Sequence, residues 1–309
     1  MTSRAPLSVW VVDDTGLPKK GKHSVGVARQ YCGQVGKQDN CQVAVSLSIS
    51  TVSASLPIAY ELYLPEVWSE DLERRRKAGV PDDVVFRTKP LIAAEQIRQA
   101  VAEGVPRAPV VADAAYGNDT KFRQALLEMG LEYVVGIQPT LSVWPPGKEP
   151  LPAKQRKSMG RPPKLRQRAP NHQPVLAKDL AATLAPTEWK TIPWRDGTKK
   201  KLQSRFAAVR VRPANRDYER SEPLPEQWLL IEWPPDETEP TKYWLGSLAA
   251  DTSLTALVTT AKQRWMIERD YEELKQELGL GHDEGRGWRG FHHHATLCFG
   301  GWALPPTAF

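Results

Sequence analysis

The sequence predicts an α/β protein: a mixed sheet flanked by helices, with a β-rich insertion before a late helix. Three observations predict it. An apolar, β-branched run at Leu7 to Asp13 reads as a buried strand. A strand–helix–strand succession between residues 89 and 138 is the pattern of a partly parallel sheet. From about Pro139 to Gly246 the chain turns rich in Pro and Trp with isolated strand-like runs, and an amphipathic helical stretch follows.

Taken in order, LSVWVVD is the first strand, bounded by a turn-like TGLPKKGK segment that leaves Asp14 just past its end. VGVARQYCG and QVAVSLSIST follow at short spacing, which predicts a three-stranded meander. KPLIAAEQIRQAVAEGV is helical, with Leu91, Ile92, Ile97 and Val101 available for one apolar stripe and Gly104 as its stop. PVVADAAYG supplies a short strand ending at Asp113, a helix runs from Asn118 or Asp119 through Met129, and EYVVGIQ is the next strand. Within the insertion RFAAVRVRP, QWLLIEW and YWLGSL read as strands, and KQRKSMGRPPKLRQR is basic with no acidic residue. SLTALVTTAKQRWMIERDYEELKQEL is one long amphipathic helix or two in succession, its core face set by Ile267, Tyr271, Leu274 and Leu278. The expected division is therefore 1–138 for the first part of the core, 139–246 for the insertion and 247–309 for the second part.

A chain of 309 residues can bury a substantial core. With 40% hydrophobic and 25% charged residues it is an ordinary globular protein, not a disordered one. The net charge of +6 favours an anionic partner. Cys32, Cys41 and Cys298 lack zinc spacing, and their odd count fits a reducing cytoplasm with simple burial of each thiol. No signal peptide or membrane span is read, so the expectation is a soluble, cytoplasmic protein with no membrane partner.

Asp14, Asp113 and Glu268 occupy special places: the first two at strand ends, the third beside the apolar stripe of the late helix. Taken singly, such acids are turn residues or helix caps. Together they are hard oxygen donors suited to Mg²⁺ or Mn²⁺, and two such ions serve phosphodiester cleavage. Arg264, Glu268, Tyr271 and Lys275 project in a row on the helix, so two cations flank the acid. A solvated charge ladder has the same spacing; read functionally, the cations hold phosphates beside the carboxylate.

The segment RWMIERDYEELK resembles the signature of bacterial insertion-sequence DDE transposases of the IS-four-like group: Tyr, two residues, Arg, three residues, Glu, six residues, Lys. Arg264, Glu268 and Lys275 fall on it, while Ala261 stands at the Tyr position. DDTGLPKKGKHSVGVARQYCGQVGKQDNCQ and ADAAYG are similar to the two Asp motifs of the IS-seven-oh-one-type branch, as is EGRGWRGFHHHATL. The resemblance implies an RNase H-like catalytic core, two Mg²⁺ ions (Mn²⁺ able to substitute) on Asp14, Asp113 and Glu268, and cleavage and strand transfer of DNA. It also implies transposon ends and target DNA as partners, a homodimer in a synaptic complex, and a bacterial, nucleoid-associated location. By position it selects Asp14, which precedes Thr15, over Asp13. Adjacent strand residues point to opposite sides, and the reversed assignment stays open.

Lys19, Lys20, Lys22 and His23 form a basic turn after the first strand, either a charged hairpin loop or a DNA-backbone contact. Arg161 and Lys164, in GRPPK, resemble part of an AT-hook and otherwise supply nonspecific phosphate attraction. Trp189, Trp194, Trp228, Trp233 and Trp244 are expected mostly in sheet cores, with Trp194 or Trp244 a candidate for stacking on a flipped base, as the resemblance implies. His292, His293 and His294 are consecutive and cannot all face one ion. The chain begins one strand before Asp14 and stops soon after the late helix, which predicts a shortened copy. The alternative expectation is a truncated, noncatalytic DNA-binding remnant.

Overall fold

The computed structural model describes residues 6–153, 164–196 and 201–303. The chain divides into two compact units, residues 1–110 with 263–309, and residues 111–262. Its strands form a mixed parallel and antiparallel arrangement flanked by helices.

In the first unit, β1 (Val9–Pro18) runs on through Asp14 and beyond, where the composition predicts a turn. Its continuation is held by pairing with β3 (Lys37–Ser50), Thr15 opposite Ala44 and Leu17 opposite Gln42. Leu17 enters an apolar cluster with Val25, Leu62, Trp68 and Phe291, so burial overrides turn composition. Gly16 lies so close to the next strand that a Cβ there would stand 2.6 Å from the Cys32 sulfur. β2 (Ala28–Cys32) pairs with the first part of β3, and β4 (Ser55–Leu62) with its later part. The sequence reading misses β4 because Pro57 interrupts it; the register shifts where Pro57 faces Ser48.

Two short helices follow, α1 (Glu66–Ser69) and α2 (Leu72–Ala78). The Asp71 carboxylate caps α2 by accepting from the Arg74 N–H, and Gly79 ends it at φ 66°. The expected helix is α3 (Lys89–Ala102), which buries Ile92 and Ile97 and leaves Leu91 half exposed. Gln96 of α3 donates to the Val45 carbonyl of β3 at 3.1 Å.

In the second unit, β5 (Val110–Ala112) neighbours β6 (Tyr133–Ile137) through α4 (Ala114–Gly117) and α5 (Thr120–Glu128), the kind of connection that joins parallel strands. Asp119 caps α5 through the Phe122 N–H. The Pro- and Trp-rich region contributes β7 (Ser142–Trp144), β8 (Val175–Leu176), α6 (Ala177–Ala182), β9 (Lys190–Asp196), β10 (Lys201–Pro213), β11 (Gln227–Trp233) and β12 (Lys242–Gly246). The strand order is β5-β6-β12-β11-β10-β7-β8, with β9 on β10. The insertion is thus continuous with β6 through β12, Tyr243 facing Ile137. α7 (Leu254–Lys262) completes the unit, burying Leu257 and Val258.

The remaining first-unit elements are α8 (Trp265–Gln276) and α9 (Trp288–Ala303). The late helical stretch is therefore two helices. Ile267, Tyr271 and Leu274 form the buried face of α8 as their spacing predicts, and Leu278 lies half buried past its end. Among the described residues, no helix is long and apolar enough to cross a membrane.

Candidate active site

In the first unit the acids of β1 meet two different helices. Asp13 receives the Arg264 guanidinium at 2.8 Å, whereas Asp14 receives the Lys89 ammonium at 3.0 Å from the start of α3. The alternation of a strand explains the divergence of neighbours. Arg264 spends its second arm on Glu268, 3.0 Å away one helical turn along. Asp13 and Glu268 therefore converge on one guanidinium. Asp13 also fixes local geometry, its Oδ1 accepting from the Asp14 N–H at 2.9 Å. Asp13 and Asp14 are largely buried, their side chains 14% and 18% exposed, while Glu268 is 65% exposed and open to a ligand.

α8 is tied to the sheet at two further places. The Tyr271 hydroxyl lies 2.6 Å from the Ser46 hydroxyl of β3. Burial, and then the negative charge of Asp13, push its pKa well above that of an ordinary phenol, so it stays protonated. Lys275 donates to the Gly16 carbonyl at 3.1 Å and to the Gln34 side chain at 3.3 Å, and burial lowers its pKa. The two cations flanking Glu268 thus each reach toward β1, one to a carboxylate and one to the backbone. Lys89 was not singled out from sequence; its only signal was its place at the start of a helix whose N-terminus faces the strand.

The basic turn after β1 is built rather than loose. Lys20, Lys22 and His23 are exposed. Lys19 differs: its ammonium donates to the Asp283 carbonyl, and burial lowers its pKa. On α9, His292 donates from Nδ1 to the Trp288 carbonyl and His294 from Nε2 to the Gly279 carbonyl, so these imidazoles serve different contacts. All three cysteines are buried free thiols.

In the second unit Asp113 follows β5 and caps α4, its carboxylate accepting from the Ala115 N–H at 2.8 Å. α4 lies directly on β6. A Cβ at Gly117 would stand 1.9 Å from the Gly136 carbonyl oxygen, so glycine is required for this backbone-to-backbone approach. The ADAAYG and VVGIQ segments therefore fix Asp113 jointly.

Trp144 of β7 is fully buried, whereas Trp189, Trp194, Trp228, Trp233 and Trp244 are half buried. Trp189 packs edge-on against Trp233, and the other four lie beside cations. Arg205 lies 3.9 Å from the Trp233 ring and Arg210 lies 4.9 Å from Trp228. Trp194 and Trp244 both flank Lys262, at 4.3 and 5.5 Å, and Lys262 pairs with Glu232 at 2.6 Å. Of the basic run, Arg161 lies outside the described residues and Lys164 is exposed. Arg166 pairs with Glu149 and Arg168 with buried Asp217, so these two charges are internally balanced.

Carboxylate oxygens are the donors that Mg²⁺ or Mn²⁺ prefer. Asp13 and Glu268 gather round one guanidinium, each on a different terminal nitrogen of Arg264. Within neither unit do three or more described His, Cys, Asp or Glu side chains form a group placed to hold a metal. What the first unit shows is a pair of carboxylates bridged by one arginine.

A family model described as "DDE superfamily endonuclease" matches residues 2–201. The probable transposase for insertion sequence element IS701 of Microchaete diplosiphon is 36% identical over 131 residues. That stretch covers 42% of this chain and 32% of the relative, so the match spans about a third of the relative's length.

Proposed function

Because the chain belongs to the DDE superfamily endonuclease family, we propose that it cleaves DNA strands and transfers the freed ends in transposition, on an RNase H-like core. The observation that carries this reading is the convergence of Asp13 and Glu268 on Arg264, beside Asp14, in the segments that resemble the family's acid motifs. Asp14, or in the reversed assignment its neighbour Asp13, together with Asp113 and Glu268, are the proposed metal ligands. Two Mg²⁺ ions bound there would activate a water or a 3′-hydroxyl and stabilise the departing 3′-oxygen. Arg264 balances the carboxylates in the structure, and with a divalent charge on them its guanidinium would turn to a phosphate. Lys275, partly desolvated and anchored beside β1, holds the phosphodiester from the other end of α8. The exposed Lys20, Lys22 and Lys164 attract the DNA backbone. The partners proposed are transposon ends and target DNA, in a paired complex.

The test is Mg²⁺-dependent nicking of supercoiled plasmid by the purified protein, set against Asp113→Ala, Glu268→Gln, Asp13→Asn and Asp14→Asn. Asp113→Ala and Glu268→Gln are expected to lower the rate at least about a hundredfold. Whichever of Asp13→Asn and Asp14→Asn loses activity as fully identifies the first ligand. Undiminished nicking by Asp113→Ala would overturn the mechanism. DNA binding without nicking, by the unaltered protein as well, would instead favour a noncatalytic DNA-binding role.

A further inference from the structure

The nine-residue loop between β1 and β2 carries Lys20, Lys22 and His23 exposed. Five of its carbonyls, those of Lys19, Gly21, Lys22, Val25 and Val27, are fastened by side chains from outside the loop. The Asn40 side-chain amide donates to the Lys19 and Gly21 carbonyls at 2.5 and 2.9 Å. Arg74 donates to the Lys22 carbonyl at 2.6 Å while its guanidinium lies 3.7 Å from the Trp68 ring. Gln42 donates to the Val25 carbonyl and the Trp68 indole N–H to that of Val27, both at 2.7 Å. The Val25 N–H in turn donates to the Arg286 carbonyl at 3.0 Å, which brings exposed Arg286 beside the loop.

This bracing has an electrostatic consequence. Carbonyl oxygens are the negative ends of the peptide groups, and a loop that exposed them would repel phosphate. Here five of the nine are satisfied by side-chain donors from outside the loop, and Lys20 and Lys22 are exposed to solvent. An unbraced lysine loop would also lose backbone freedom on binding; this loop is held in place beforehand by its side-chain bonds. Lys19, by contrast, belongs to the fastening, since its ammonium is turned to the Asp283 carbonyl.

We infer that this loop is a preformed clamp for the DNA phosphate backbone, contacted through Lys20, Lys22 and Arg286, and that Asn40 is its positioning residue. The inference rests on the proposed action on DNA, and it separates two lysine classes that the sequence treats alike. Asn40 is the informative residue because its removal changes no charge.

The experiment measures the affinity of a short fluorescein-labelled duplex for the full chain over a salt series, in chelator and without divalent metal. Wild type is compared with Asn40→Ala, with Lys20→Gln/Lys22→Gln, and with the combination. The double lysine change is expected to weaken binding about tenfold or more and to lower the slope of log K against log salt by about 0.9 per lost contact. Asn40→Ala is expected to weaken binding by about threefold to tenfold and to lower the slope as well. In its background the lysine changes cost less than about threefold, because the clamp is already lost. A merely structural Asn40 gives additive effects and an unchanged slope, and either result overturns the inference. Should Asn40→Ala fail to fold, Trp68→Phe removes the bond to Val27 without altering charge and enters the same cycle. Because metal is absent, the outcome is independent of nicking: a coupled cycle without nicking leaves the clamp standing while the catalytic reading falls, and additive effects with nicking do the reverse.

Discussion

Two neighbouring carboxylates on β1 take separate partners, and a third acidic group on α8 takes a burial role of its own. Asp270 is fully buried, and its Oδ2 accepts from the Ser55 hydroxyl. Among the described residues none hydrogen-bonds its buried Oδ1. Burial raises its pKa to about 6, with Ser55 and Arg269 acting in the opposite direction. The folded value lies above the unfolded 3.8, so the folded state holds the proton more tightly. The stability this contributes is complete below about pH 4 and is lost as pH rises through about 6. Asp270→Asn, which stays neutral, is therefore expected to gain on wild type with rising pH, by on the order of 2–3 kcal/mol above pH 7. Urea unfolding of both proteins at pH 4 and pH 8 measures this, and an equal difference at the two pH values would rule it out. Nothing in the sequence distinguished Asp270 from the other acids of WMIERDYEELK, because burial of one carboxylate depends on what β4 places against it.

At the scale of elements, a buried ion pair tethers α7 to the insertion's sheet. Lys262 at its last turn meets Glu232 of β11, the two side chains 10% and 3% exposed. The ammonium also lies among the rings of Trp194, Phe206 and Trp244, and burial lowers its pKa despite the carboxylate beside it. Removing one partner strands the other charge away from water. Glu232→Gln or Lys262→Met alone is expected to cost about 3–5 kcal/mol of stability, whereas Glu232→Leu/Lys262→Met together costs much less. Equilibrium unfolding of the three variants reads the cycle, and additive losses would show that the pair acts independently. The sequence made β10, β11 and β12 legible through their apolar runs. It did not place the tryptophans: density alone suggested core, while alternation on an open sheet leaves one face for cations and rings.

For the whole molecule, a metal that binds the native state and not the unfolded chain must raise the melting temperature. At a concentration about a hundred times its Kd, Mg²⁺ or Mn²⁺ is expected to add about 2.7 kcal/mol. The shift should vanish in Glu268→Gln and persist in Lys20→Gln/Lys22→Gln, which leaves the carboxylates intact. A shift that survives Glu268→Gln would place the metal elsewhere. In the proposed action on DNA, the net charge of +6 would add only a background attraction, and the cations placed on α8 and the β1–β2 loop would do the positioning.

Period and spacing alone determined β1, α3, the strand–helix–strand segment around Asp113 and the buried face of α8, because local burial patterns are written directly into residue order. They also determined that Asp13 and Asp14 must diverge. Tertiary structure decided which of them faces α8: Asp13, through an arginine 251 residues away. It decided too that β1 continues through a turn-like TGLP, that Lys19 is fastened while Lys20 and Lys22 stand free of the surface, and that Lys89 answers Asp14. Each of these depends on side chains brought together from distant segments, and a period of two fixes opposition between neighbours without fixing what lies on either side.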